Sequence, residues 1–261
     1  TMEKTADFTE GRILSRLLRF ALPVLAALFL QAMYGAVDLM VVGQFGAPTD
    51  VSAVSTGSQI MQTVTSLITG LAMGITILVG QKIGEKRPEQ AGDVIGSGIC
   101  LFGVLAAVLT VLMILGAGFL AGLMHAPDEA FSQTVDYIRI CSAGAVFIIA
   151  YNVLGSIFRG IGDSRMPLFT VAAACVFNIG GDLLLVAGFH MGAAGAALAT
   201  VAAQAASVLL SLAVIRKRQL PFTLGKRNLR PTCSLCQPLW PRIWGRESRS
   251  GRDVPWQPDL P

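Results

Sequence analysis

Long apolar runs without a charged residue alternate along this chain with short polar segments. The longest run holds 34 residues, between Asp93 and Asp128. About 20 residues of α-helix are enough to cross the hydrocarbon core of a bilayer, and proline and glycine in the polar segments separate one run from the next. The pattern therefore predicts six membrane-spanning helices, near residues 16–43, 51–81, 92–122, 134–157, 166–187 and 194–215.

The composition agrees with an all-α, polytopic membrane protein. Of the 261 residues, 53% are hydrophobic and only 14% are charged, whereas an ordinary soluble domain has about 25% charged residues. This excludes both a soluble domain of this length and intrinsic disorder, and five cysteines do not indicate a disulfide scaffold. The sequence contains no phosphate-binding loop, nucleophile–base arrangement or metal-ligand cluster. We therefore expect no enzyme activity, no cofactor and no nucleic-acid partner.

The charge is distributed unevenly along the chain. Residues 1–215 hold ten Lys and Arg against thirteen Asp and Glu, a net −3, whereas residues 216–261 hold ten against three, a net +7. Twelve basic residues fall in the N-terminal segment and in the segments that follow the second, fourth and sixth predicted helices. Because basic segments stay in the cytoplasm, we expect both termini to be cytoplasmic in a multi-pass protein of the plasma membrane.

Two acidic residues, Asp38 and Asp182, lie deep inside predicted spans. A carboxylate inside a membrane is costly and indicates a functional site. Each acid shares its helical face with other polar residues. Gln31 and Tyr34 precede Asp38 on one face, and Asn178 lies one turn before Asp182. We therefore interpret both acids as candidate functional residues.

Depth can be estimated by counting residues from the nearest cytoplasmic basic residue. At about 1.5 Å per residue, Asp38, Asp182 and Thr200 all lie roughly 24 to 28 Å from that edge, so they are predicted to meet around one cavity, with Asn152 nearer the cytoplasm. Burial and mutual repulsion disfavour the charged form of two neighbouring carboxylates. Such a pair can take up and release a proton, or bind Na⁺, as ion-coupled transport requires. The alternative is two isolated acids that only hydrogen-bond to neighbouring helices.

Several stretches together resemble the N-terminal half of multidrug and toxic compound extrusion (MATE) transporters. Residues 21–43, which include a proline and Asp38, are similar to the first helix of that family. The segment 158–167 reads FRGIGDSRMP and is followed by Asn178 and Asp182; it resembles the family's R-x-x-G-D-x-x-x-P loop with its N-x-x-x-D pair. The resemblance covers roughly residues 12–231.

The resemblance implies one six-helix lobe of a twelve-helix fold in which two lobes alternate access. It implies an antiporter that exports cationic amphipathic drugs in exchange for H⁺ or Na⁺. The expected partners are the lipid bilayer, cationic small molecules and a missing or separate C-terminal lobe. By matching position, it implies an ion-coupling site at Asp38, Asn178 and Asp182 (where Na⁺ would also bind), a helix bend at Pro23, and a substrate cavity lined by Gln31, Tyr34, Tyr137, Asn152 and Thr200.

The predicted organisation ends in a segment that departs from the family. We expect a cytoplasmic N-terminal segment at 1–15, the six-helix lobe at 16–218, an inter-lobe loop at 219–231 and a tail at 232–261. The tail is rich in Arg, Pro and Trp and has no apolar span where the family has a seventh helix. We interpret it as an out-of-frame translation or a truncation, the alternative being a genuine basic tail that binds anionic lipid.

Two other functions remain open at this point. The first is a lipid-linked oligosaccharide flippase of the same superfamily. The cavity of such a flippase is expected to be rich in Arg or Lys, because its substrate is anionic. The second is a truncated membrane fragment that does not transport.

Overall fold

The computed structural model describes residues 13–217, which form a bundle of helices with no strand among them. The predicted inter-lobe loop 219–231, the tail 232–261 and most of the predicted N-terminal segment lie outside the described residues. A 3₁₀ turn, Asp128–Ala130, comes before the fourth helix, and a π-helical segment, Leu183–Gly188, continues the sixth. The helices are α1 (Ile13–Phe45), α2 (Pro48–Gly84), α3 (Pro88–Leu123), α4 (Phe131–Ala143), α5 (Ala145–Gly160), α6 (Arg165–Asp182) and α7 (Gly192–Lys217).

The predicted all-α membrane bundle is confirmed. Within the described residues, five single helices are long and apolar enough to cross a bilayer, and α4 and α5 together count as a sixth if the bent pair is taken as one span. The helices extend a few residues beyond the predicted bounds at most ends. In particular, α2 and α3 begin at Pro48 and Pro88, because the fixed φ and missing N–H of proline suit the first helical position.

The fourth predicted span, 134–157, is wrong as a single straight helix. The chain bends by 53° between α4 and α5, and the break is at Gly144. A Cβ on this residue would lie 2.5 Å from Cγ2 of Val201 on α7, so only glycine lets the chain turn this close to α7. The backbone stays satisfied at the turn, because the Gly144 N–H donates to the Ile140 carbonyl at 3.2 Å and the Phe147 N–H donates to the Gly144 carbonyl at 2.9 Å.

Helix α6 packs against α1 and α7, and helix α2 packs against α3 and α5. Buried apolar side chains form two main clusters, one that includes Val54 and Ile138 and another that includes Ile75 and Ile149. The outer surface is also apolar, and Leu115 is 80% exposed. Such a surface suits contact with lipid rather than water, as expected of a multi-pass membrane protein.

One carboxylate joins the first turns of α2 and α7. Asp50 accepts the N–H of Ala47 on Oδ2 and the N–H of Ala193 on Oδ1, each at 3.0 Å. Gly192, which directly precedes Ala193, lies against this carboxylate. Its φ of +55° is in the left-handed region, and a Cβ on it would stand 2.6 Å from the carboxyl carbon of Asp50. Glycine is therefore required at this position for the Asp50 carboxylate to reach α7.

Candidate functional site

Asp38 on α1 and Asp182 at the end of α6 are both buried, with 5% and 0% of their surface exposed. Their carboxyl groups lie close enough to interact electrostatically. The register of α1 against α6 explains why the two carboxyl groups come together. The Cys175 thiol of α6 lies 3.6 Å from the Leu30 carbonyl oxygen of α1, and about two turns further along each helix stand the two acids.

Asn178 completes this group on the face of α6 that meets α7. It is 1% exposed, and its Nδ2 donates to Thr200 Oγ1 on α7 at 3.4 Å, a long hydrogen bond. Three helices thus supply a compact set of oxygen atoms from two carboxylates, one amide and one hydroxyl. We call Asp38, Asn178 and Asp182 the acid pocket.

Four of the five side-chain oxygens of the acid pocket lack hydrogen-bond donors. Asp38 Oδ1, both carboxylate oxygens of Asp182 and Asn178 Oδ1 are buried and have no hydrogen-bond partner among the described residues. Burying a carboxylate without a partner costs several kcal/mol unless it is neutralised. A proton or a small cation would supply what the protein leaves out, and carboxylate and amide oxygens are hard ligands of the kind that alkali and alkaline-earth cations prefer.

Next to the acid pocket is a cavity of about 290 Å³. Among the described residues, Asp38 is the one formally charged residue in its wall, and Asn178 and Asp182 are not part of that wall. Asp38 therefore belongs both to the acid pocket and to the cavity. The wall is formed by Gln31, Tyr34, Gly35, Asp38, Leu39, Ser55, Ser58, Gln59, Met61, Gln62, Thr65, Tyr137, Cys141, Ile148, Asn152, Thr200 and Gln204.

All five residues predicted for the substrate cavity, Gln31, Tyr34, Tyr137, Asn152 and Thr200, are among these wall residues. The structure thus brings them together, and their roles stay predictions. The expectation that Asp182 would line the same cavity as Asp38 and Thr200 is not met, because Asp182 lies behind the wall at the end of α6.

The largest polar contribution to the wall comes from α2, which the sequence-based reasoning did not include. Ser55, Ser58, Gln59, Gln62 and Thr65 all face the cavity. The signal was available, because Ser55, Ser58, Gln62 and Thr65 recur at intervals of three or four within an uncharged apolar run, which is the spacing of one helical face. The sequence shows this polar stripe on α2 but does not assign it to the cavity, because it does not say which face of α2 meets α1.

The surroundings of Asp38 are aromatic and amide-rich. Tyr34, one turn before it on α1, lies against the side chain of Gln204 on α7, and Tyr137 on α4 lies near both Asp38 and Cys141. Gln204 was also missed, although it stands one turn after Thr200. Its Oε1 is a further buried oxygen without a hydrogen-bond partner in the described part of the chain.

Asn152 is held differently from the acid pocket. Its Oδ1 accepts the hydroxyl of Thr69 on α2 at 2.9 Å, and its Nδ2 donates to the Ile148 carbonyl at 2.8 Å. Both ends of this amide therefore have partners. Asn152 fixes α5 against α2 and also presents part of its surface to the cavity.

Pro23 lies within α1, which is assigned as helix from Ile13 to Phe45 without interruption. It is four turns before Asp38 and does not line the cavity. The helix-bend role of Pro23 stays a prediction. The sharp bend found within residues 13–217 is the one at Gly144.

Comparison with known proteins gives a consistent result. The family model described as MatE matches residues 23–184. The chain is 28% identical over 224 residues to the probable multidrug resistance protein YpnP of Bacillus subtilis, an alignment that covers 85% of this chain and 50% of YpnP. It is 28% identical over 209 residues to the DNA damage-inducible protein F of Escherichia coli, covering 76% of this chain and 43% of that protein.

Solved structures share the fold. An outward-facing multidrug resistance MATE family transporter of the MOP superfamily superposes with a TM-score of 0.81 at 24% identity, over 90% of this chain and 52% of the other. A MOP superfamily transporter from Pyrococcus furiosus, described as having a binding pocket of reverse polarity, gives the same values. The chain spans about half the length of the curated relatives it matches.

Proposed function

This chain belongs to the MatE family, and we propose that it forms the N-terminal lobe of an ion-coupled antiporter that exports cationic amphipathic compounds across the plasma membrane. In this proposal H⁺ or Na⁺ is the coupling ion and both termini face the cytoplasm. The observation that carries the proposal is that Asp38 is shared between the acid pocket and the cavity.

A shared carboxylate gives a simple basis for exchange. When a proton or Na⁺ occupies the oxygens of Asp38, Asn178 and Asp182, the negative charge that the cavity offers is neutralised. When the ion leaves, Asp38 regains its charge and attracts a cationic compound into the cavity. Ion and substrate thus compete for one group, and their binding free energies are coupled with equal size in both directions.

The cavity wall supports a cationic rather than an anionic substrate. Within the described residues it contains one carboxylate and no Lys or Arg, and the remaining polar groups are hydroxyls and amides. Tyr34 and Tyr137 add aromatic faces that attract organic cations. A flippase for an anionic oligosaccharide lipid would need basic groups here, so the wall favours the drug exporter over that alternative.

The lobe needs a counterpart to alternate access. In transporters with repeated bundles, the substrate site lies between two bundles that rock against each other. The cavity described here belongs to a single bundle, and its volume of about 290 Å³ is at the lower end of the roughly 300–1,000 Å³ of ligand pockets. We propose that a C-terminal lobe, on the same or a separate chain, covers it.

Transport in proteoliposomes tests the proposal. The chain alone and the chain joined to a restored second lobe are reconstituted, and ethidium efflux is followed under an imposed H⁺ gradient and under an imposed Na⁺ gradient. We expect efflux only with both lobes and only under the gradient of the coupling ion. Efflux of equal rate from the chain alone would contradict the half-transporter proposal, and no efflux from either form would favour the non-transporting fragment.

Neutral variants of the acids test the ion site in the two-lobe form. Asp38→Asn and Asp182→Asn should each abolish gradient-driven efflux, because the amide can neither release a proton nor supply a charged ligand. Asp136→Asn is the matched control, since it removes an exposed carboxylate on α4, and it should transport normally. Unchanged coupling in both acid-pocket variants would show that the ion binds elsewhere.

A further inference from the structure

A second concave site lies at the end of the bundle where α6 begins and α7 ends. It is a groove of about 440 Å³ lined by Arg165, Met166, Phe169, Val214 and Lys217. Two of these residues are cations, and they come from two different helices. We propose that this groove, which we call the α6–α7 groove, binds an anionic phospholipid with one phosphate, of the phosphatidylglycerol type.

The order of side chains along the groove matches the order of groups in a phospholipid. Arg165 is the first residue of α6 and Lys217 the last of α7, so both cations stand at the rim. Phe169 lies one turn deeper on α6, and Val214 lies one turn deeper on α7. A lipid phosphate at the rim would therefore have its acyl chains beside apolar side chains on both walls.

The apolar wall continues toward the middle of the span. Phe169 is 56% exposed and Val176, two turns further along α6, is 72% exposed. Seven residues of helix advance about 10 Å, so an exposed apolar track runs inward from the rim. A soluble phosphate compound would leave this track without a partner, whereas an acyl chain would cover it.

The backbone N–H groups at the start of α6 are already engaged. Asp163 Oδ1 accepts the backbone N–H groups of Arg165 and Met166, each at 3.1 Å. Its carboxylate therefore caps the first turn of α6, and the backbone amides there are not left for a phosphate. The headgroup would be held by the side chains of Arg165 and Lys217.

Native mass spectrometry of the purified full chain, with phosphatidylglycerol and phosphatidylcholine of identical acyl chains, tests the proposal. Because basic residues attract anionic lipid headgroups, the double variant Arg165→Gln/Lys217→Gln should weaken phosphatidylglycerol binding roughly tenfold or more. The control is Lys86→Gln/Arg87→Gln, which removes the same charge from the same end of the bundle outside the groove, and binding should not change. Equal loss in both double variants would overturn the site, since it would reduce the effect to overall charge.

Further binding measurements test whether the bound molecule is a lipid. Phe169→Ala should weaken phosphatidylglycerol binding, whereas Phe119→Ala, which removes another exposed phenyl ring, from α3, should not. Binding of phosphatidylcholine as tight as that of phosphatidylglycerol would overturn the charge-based recognition. Displacement of the lipid by glycerol phosphate at comparable concentration would overturn the lipid assignment in favour of a free phosphate compound. Circular dichroism and elution volume identify variants that retain the wild-type fold, and the comparison is made among these.

Discussion

Replacing Gly192 with alanine is expected to destabilise the bundle through one defined contact. A non-glycine residue in the left-handed region costs about 1–2 kcal/mol, and φ of Gly192 is +55°. The new Cβ would also stand 2.6 Å from the carboxyl carbon of Asp50. Asp50 would then have to move away from the Ala193 N–H, which it binds at 3.0 Å.

The expected magnitude follows from these two contributions. A hydrogen bond to a charged group contributes about 1.5–3 kcal/mol, so its loss added to the backbone cost of about 1–2 kcal/mol gives roughly 2.5–5 kcal/mol for Gly192→Ala. In the background Asp50→Ala the carboxylate is absent, and the same replacement should cost only the backbone part, about 1–2 kcal/mol. The two substitutions are therefore expected to be coupled by about 2 kcal/mol, which is within the range for residues in contact.

Equilibrium unfolding in mixed detergent and dodecyl sulfate, followed by circular dichroism, measures all four proteins of this cycle. Gly116→Ala is the control, because a Cβ at that glycine meets nothing within 4 Å; we expect it to be neutral or stabilising by up to about 1 kcal/mol. If Gly192→Ala costs the same with and without Asp50, or costs nothing, the reasoning from the Asp50 contact is refuted.

Two further changes probe the helix contacts around the cavity. Gly144→Ala should cost about 1–3 kcal/mol by overpacking against Val201, and Val201→Ala should restore part of that loss in the same unfolding assay; a loss unaffected by Val201→Ala would contradict this contact. Thr69→Val should cost about 1 kcal/mol, because Asn152 Oδ1 loses its donor, and should weaken ethidium binding measured by fluorescence; unchanged stability would show that this hydrogen bond does not hold α5 to α2.

The membrane spans and the two buried acids could be predicted because both signals are local. A long run of uncharged apolar residues predicts a membrane-spanning helix from its length alone, whatever that helix packs against. Asp38 and Asp182 stood out because a carboxylate inside such a run is costly wherever the helix lies. Their common depth also followed from counting residues, since helical rise is fixed.

The wall of the cavity could not be completed in the same way. The stripe from Ser55 to Thr65 is recognisable on α2, and Gln204 follows Thr200 by one turn, but helical periodicity leaves open which neighbour each face meets. The clearest miss is Gly144. The chain has 28 glycines, and nothing in the neighbouring residues of Gly144 distinguishes a bend in the chain from a packing contact.

The sequence by itself determined a six-span helical lobe, the positions of its charges and the family resemblance, because hydrophobic run length and residue type act within one segment. Only the tertiary structure decided that Asp38 faces the cavity while Asp182 stands behind it, that Gly144 turns the chain against Val201, and that Asp50 joins α2 to α7. Each of these features is a contact between residues far apart in the chain. Such contacts depend on how the helices are rotated and offset against one another, and that is set by the packing of the whole bundle.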